Sequence, residues 1–155
     1  MAYYRNPRFL HAANQGGALL GKFKEAANQS FVAGEPVYLV TNGDGLTVVA
    51  DGATNVFLGL AQEDASGTTG TEIQVLIARD GDVFEFDVYD GSTVDAATTA
   101  YLFQAFAINT ASHETMIDLN TTNDDAVVPI AITATDGTKV AAKFLASTLQ
   151  YEVGI

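Results

Sequence analysis

The residues Asp82-Val83-Phe84-Glu85-Phe86-Asp87-Val88-Tyr89 alternate strictly, with Phe84, Phe86 and Val88 on one side of an extended chain and Glu85, Asp87 and Tyr89 on the other. Successive side chains of a strand point to opposite faces, so this stretch predicts a β-strand with one face on a core and the other in water. The same pattern recurs outward from it. Pro36-Val37-Tyr38-Leu39-Val40-Thr41 runs into Asn42-Gly43-Asp44-Gly45 and returns as Leu46-Thr47-Val48-Val49-Ala50. Asn and Gly accept the positive φ that tight hairpins require, which predicts a hairpin here. Residues 55–62 and 71–78 predict a second strand pair around an exposed polar loop, 63–70. Residues 115–119, 127–134, 139–145 and 149–153 continue the series, with a turn at Asp136-Gly137-Thr138. Ala96 to Ala107 is open to two readings: its Ala-rich composition permits a helical turn, whereas the aromatic density of Tyr101, Phe103 and Phe106 favours a buried strand from Ala100 to Ile108. Helical spacing is confined to Leu19, Leu20 and Phe23 with Ala26 or Ala27, and Gly16, Gly17 and Gly21 weaken it.

These elements predict an all-β fold: an antiparallel β-barrel or β-sandwich with an extended N-terminal arm over residues 1–28, one β-rich body over 29–155, and at most one short helix. A chain of 155 residues, 48% of them hydrophobic, can bury about 68% of its extended surface in such a body. It contains no Cys, which removes disulfides, thiolate metal sites and Cys nucleophiles from consideration. No apolar run reaches the length of a membrane span and the start lacks a signal-peptide core, so a chain neither inserted nor exported is expected.

Charge is distributed unevenly. Arg5, Arg8, Lys22 and Lys24 all precede Glu25, the first acid, so residues 1–24 carry +4. The rest sets Arg79, Lys139 and Lys143 against 19 acids, a net −16. An acidic body repels nucleic-acid phosphates and anionic bilayers, so neither nucleic acid nor membrane is an expected partner. A basic segment bearing Tyr3, Tyr4 and Phe9 suits an acidic protein surface instead, because interfaces favour aromatic anchors.

Catalytic signatures are sparse. His11 and His113 have no second His or Cys at ligand spacing. No serine sits in a nucleophile elbow, and Ser112-His113-Glu114, read as an extended strand, points its neighbours to opposite faces. Asp80, Asp82, Glu85, Asp87 and Asp90 crowd together without the spacing of an EF-hand, as does Asp124-Asp125, leaving at most an irregular Ca²⁺ site at a turn such as Asp80-Gly81-Asp82. No paired acid and base marks a glycosidase. Gly43-Asp44-Gly45 joins strands and does not open a helix, so it cradles no phosphate. No enzyme activity and no cofactor are expected.

Phe31-Val32-Ala33-Gly34-Glu35-Pro36-Val37-Tyr38-Leu39-Val40, Leu58-Gly59-Leu60-Ala61-Gln62-Glu63-Asp64-Ala65-Ser66-Gly67-Thr68 and Val75-Leu76-Ile77-Ala78-Arg79-Asp80-Gly81-Asp82-Val83-Phe84 together resemble the head-decoration, or capsid cement, proteins of tailed bacteriophages. The likeness is one of pattern and spans about residues 31–88. It implies a structural virion protein on the outside of the assembled head, bound to the major capsid protein lattice and grouped as a homotrimer. It also implies an N-terminal arm lying on the capsid. On that reading Tyr3, Tyr4, Arg5, Arg8 and Phe9, with Lys22 and Lys24, are the partner-binding residues, the arginines pairing with shell carboxylates. Trimming such an arm would leave the melting of the body nearly unchanged. The alternatives are a carbohydrate-binding or adhesin-like β-sandwich, with or without calcium, and a glycoside hydrolase fragment.

Overall fold

The computed structural model describes residues 4–13, 16–40, 45–48, 56–89, 96–120 and 125–154. The chain is all-β and sandwich-like, and its described residues form two sheets with one short α-helix, α1 (Gln150–Val153).

The stretch 82–89 forms β7 (Val83–Tyr89), the axis of the first sheet. Phe84, Phe86 and Val88 are fully buried, as their alternation predicts. One edge of β7 pairs with β11 (Lys139–Phe144), which pairs in turn with β10 (Val127–Ile132). The other edge is shared end to end by two strands. β1 (Arg8–His11) runs antiparallel to its first half, and β9 (Glu114–Asp118) runs parallel to its second half, with β8 (Ala107–Ala111) beyond. The second sheet has the order β2-β6-β5-β3-β4, where β2 is Leu19–Lys24, β3 Pro36–Leu39, β4 Leu46–Val48, β5 Gly59–Ala61 and β6 Glu72–Ile77. The hairpin of β3 and β4 forms as predicted, although residues 41–44 of its turn lie outside the described residues.

Both sheets curl until their edges touch at a point. Glu25, just past β2, bridges Leu46 of β4, and Phe106, just before β8, bridges Val127 of β10. Single bridges rather than ladders join these edges, so neither sheet closes into a barrel. Each curl encloses apolar side chains. In the larger core Phe144 meets Phe57, Phe84 and Phe86 at ring-centroid distances of 5.1, 5.3 and 5.6 Å, joined by Leu60 and Leu76 from the second sheet. The smaller core holds Phe31, Val37, Leu46, Leu58, Ala61, Ile73 and Val75. The second sheet is thus apolar on both faces. Gly59 sits where a Cβ would overlap the carbonyl oxygen of Leu76, so β5 and β6 approach closely only without a side chain there.

Several expectations are corrected. Residues 19–24 form a strand, not a helical turn: all six pair with β6, and Leu20, Lys22 and Lys24 alternate outward against Leu19, Gly21 and Phe23. Residues 100–108 do not form a strand from Ala100. A 3-10 turn covers Thr99–Tyr101, Phe103 adopts φ 64°, and β8 starts at Ala107. The Gln104 side chain bonds back to the Ala100 carbonyl, and Pro129 takes the Phe103 amide, which together hold the chain bent. Residues 150–153 are helical rather than extended. There the Gln150 side chain imitates a strand neighbour, accepting from the Leu39 amide at 2.8 Å and donating to its carbonyl at 2.7 Å. Asp87, expected on the water face of β7, is buried against Lys139 at 3.0 Å.

The leading segment and the candidate docking surface

The seven residues expected to bind a partner divide into three groups. Tyr3 lies outside the described residues. Tyr4, Arg5, Arg8 and Phe9 are extended, but they lie along the body and are bonded into it. In β1, Phe9 faces Phe84 across the strand pair with ring centroids 5.8 Å apart, and Arg8 faces Glu85 with N–O 3.0 Å. Their alternation places the ring on the core and the guanidinium in solvent.

Residues 4–6 clasp the tip of the β8–β9 hairpin. That tip is a two-residue turn, Ser112 and His113, with φ of 52° and 69°. The sharp bend replaces the extended run expected for Ser112-His113-Glu114. Both central residues have the positive φ of a turn usually built from Asn and Gly, and contacts with the leading segment hold it. Asn6 Nδ2 donates to the His113 carbonyl at 2.7 Å, the Tyr4 ring meets the His113 ring edge-on at 5.3 Å, and the Thr115 amide donates to the Arg5 carbonyl at 2.9 Å. Arg5 reaches Glu114 through its backbone amide at 2.8 Å and its guanidinium at 3.3 Å. His113 Nδ1 lies 3.1 Å from Oε2 of buried Glu35, which also accepts from the Val32 amide, so the second sheet joins the clasp. The hydroxyl of Ser112 forms no triad with this histidine; Glu35, 78 residues away, is the carboxylate the imidazole meets. No local pattern announces Glu35, Glu85 or Glu114 as partners, because each is separated from its cation or ring by the whole fold.

Lys22 and Lys24 form the third group. On β2 they project outward with Leu20, whose side chain is half exposed. Among the described residues neither lysine has an ion-pair partner, although Lys24 stands across from Glu72. A strip of one apolar and two cationic side chains therefore faces solvent on an edge strand of a protein with net charge −12.

The acidic turn at Asp80-Gly81-Asp82 is filled by protein. Asp82 is buried, and its two carboxylate oxygens accept from the Arg79 amide and guanidinium and from the Ala13 amide, at 3.1 to 3.5 Å. Arg79 also donates to the Gly17 carbonyl at 2.6 Å, which secures the link between β1 and β2. Asp90 and Asp124 lie outside the described residues, and no cluster of three or more metal-ligating side chains occurs among the described ones. No helix among them is long and apolar enough to cross a membrane. An open groove of about 480 Å³ runs between Pro7, Phe9, Leu60 and Leu76. A smaller one of about 240 Å³ adjoins it, lined by Tyr4, Asn6, Glu85 and Asp87.

No family model matches the chain, and no curated protein or solved structure matches it significantly.

Proposed function

We propose that the chain is a structural protein of the virion, a decoration or cement protein that binds the outer surface of a tailed-phage head and stabilises its major capsid protein lattice, in copies grouped as homotrimers. The observation that carries this reading is the strip Leu20, Lys22 and Lys24. It concentrates positive charge that has no ion-pair partner among the described residues beside an apolar side chain on an otherwise acidic protein, a surface suited to an acidic lattice. The pattern likeness over residues 31–88 supports the same conclusion. A protein that binds only assembled subunits stabilises assembly by mass action, with no catalytic group required. Because Arg5 and Arg8 are engaged inside the chain, the docking charge moves from the leading segment to β2.

The test is binding of the purified chain to heads prepared without it. The double variant Lys22→Glu/Lys24→Glu is expected to lose binding at least tenfold, and added salt to weaken wild-type binding. Wild-type affinity in the double variant would overturn this reading. The carbohydrate-binding alternative has one observation in its favour, the groove where Tyr4 stands beside Asn6 and Glu85. A glycan array would separate the two.

A further inference from the structure

The strip Leu20, Lys22 and Lys24 presents backbone as well as side chains, and the direction of each backbone group in β2 follows from its neighbours. The Gln62 amide donates to the Gln74 carbonyl at 2.9 Å and the Ala78 amide to the Leu58 carbonyl at 3.0 Å, so Gln74, Leu76 and Ala78 turn their backbone groups toward β5. Peptide groups alternate along a strand. Ile73, Val75 and Ile77 therefore turn theirs toward β2, where they stand opposite Phe23, Gly21 and Leu19. Glu25 keeps this phase, donating to the Thr71 carbonyl and accepting from the Gly70 amide, both at 2.8 Å. The amides and carbonyls of Leu20, Lys22 and Lys24 thus point the other way, out of the sheet. β2 ends its five-stranded sheet, and no described strand pairs with that edge between Leu20 and Lys24. Two residues beyond Lys24 the same edge is in use: the Ala26 amide donates to the Leu46 carbonyl of β4 at 3.1 Å. A strand lying against this edge is a geometry the fold itself adopts.

Docking at this strip covers the edge together with the lysines. A flat acidic surface satisfies the ammonium groups, but it strips water from the outward amides and carbonyls and returns nothing to them. An extended segment satisfies both sets. Its main chain completes the ladder, and its alternate side chains fall opposite Leu20, Lys22 and Lys24 on one face, about 7 Å apart. All six residues of β2 are paired with β6, so the template is ordered before a partner arrives. Charge then discriminates among strands. Two copies of β2 pairing antiparallel about Lys22 set lysine against lysine, the opposition by which edge lysines prevent self-pairing. A strand with carboxylates at two alternate positions and an apolar residue at the next meets Lys24, Lys22 and Leu20 in turn.

We infer that β2 receives a sixth strand on the assembled head: an extended segment of the lattice protein, with carboxylates at alternate positions, adds to its free edge by main-chain hydrogen bonds. The inference rests on the reading of the chain as a lattice-binding protein and names the part of the partner that is gripped. The ladder supplies affinity, and Lys22 and Lys24 supply selectivity and register.

Hydrogen–deuterium exchange at single-residue resolution, on the full chain free and bound to heads prepared without it, reads the outcome. The amides of Leu20, Lys22 and Lys24 are expected to slow by at least about 100-fold on binding, while those of Gly21 and Phe23, already turned toward β6, change little. Two variants separate the ladder from the charge. Lys22→Gln removes the cation alone, whereas Lys22→Pro also removes an outward amide, at an edge position where proline spares the pairing with β6. Lys22→Pro is expected to bind heads at least about tenfold more weakly than Lys22→Gln. Melting of the free variants checks that both fold, and if Lys22→Pro does not, the exchange result decides alone. Heads that bind through the lysines yet leave the three amides exchanging as in the free chain would overturn the inference and leave the lattice-binding reading standing, as would equal affinities of folded Lys22→Pro and Lys22→Gln. Wild-type affinity of the Lys22→Glu/Lys24→Glu variant would overturn both. Protection that arises in the concentrated chain without heads would assign the edge to a second copy, and would equally overturn the inference.

Discussion

Ser66 and Glu25 are joined twice: the Ser66 amide and hydroxyl both donate to Oε2 of Glu25, at 2.9 and 2.8 Å, while the Gly67 amide takes Oε1 at 2.7 Å. Glu25 is fully buried, so an interior carboxylate anchors the exposed loop 63–70 with three directed bonds. Glu25→Gln turns one acceptor into a donor facing donors. It is expected to cost about 2–3 kcal/mol, read as a lower urea midpoint at constant slope, with faster proteolytic cleavage within 63–70. An unchanged midpoint would contradict the anchoring.

The pairing of β1 with β7 makes trimming of the leading segment destabilising, the reverse of what a free arm implies. Deleting residues 2–10 removes a strand and uncovers Phe84. Phe9→Ala alone is expected to cost about 2–3 kcal/mol, below the range for a fully buried Phe because Phe9 is only partly buried against the core. Chemical denaturation of the two variants checks this, and wild-type stability in the deletion would refute it.

At the β8–β9 tip, Ser112 has φ 52° and an exposed side chain. Ser112→Asn keeps the turn and suits left-handed backbone better, so it is expected to stabilise by about 0.5–1 kcal/mol. His113→Gly relieves similar strain but discards the contacts with Glu35 and Tyr4. Thermal melts should therefore rank Ser112→Asn above wild type and His113→Gly below it.

Asp136 accepts from the Thr138 hydroxyl at 2.7 Å and from its amide at 3.1 Å, which holds the carboxyl below its ordinary value of 3.8. A carboxylate lowered in the folded state stabilises above its unfolded pKa, and that contribution is lost as pH falls through the folded one. Thr138→Val is therefore expected to lower the melting temperature slightly near neutral pH and to have a smaller effect at acid pH, below 3.8. An equal effect at both pH values would sever the link to Asp136.

Much of the architecture was legible where period-2 alternation met glycine-containing turns: β7, the β3–β4 hairpin, the β5–β6 pair, and β10 with β11. The misses share a cause. Residues 19–24 have weak local preference, and pairing with β6 decided them. Residues 150–153 and 99–105 were bent by individual side chains, Gln150 and Gln104, whose partners are identified only in three dimensions. The site was less legible still. Charge counting located the cations, but whether each was engaged depended on carboxylates such as Glu114, 109 residues from Arg5. It could not separate Arg5 and Arg8, which are held, from Lys22 and Lys24, which face solvent.

The two opening strands belong to different sheets, β1 to the first and β2 to the second, and each finds its partner far downstream, Arg8 meeting Glu85 across 77 positions. On the ribosome these strands emerge before their partners and wait, unpaired, until β6 and β7 leave the exit tunnel. Loop closure over such separations slows the search. Nascent chains of this protein therefore acquire their native topology late, and an early stop codon ahead of residue 83 yields a product whose opening strand has nothing to dock against.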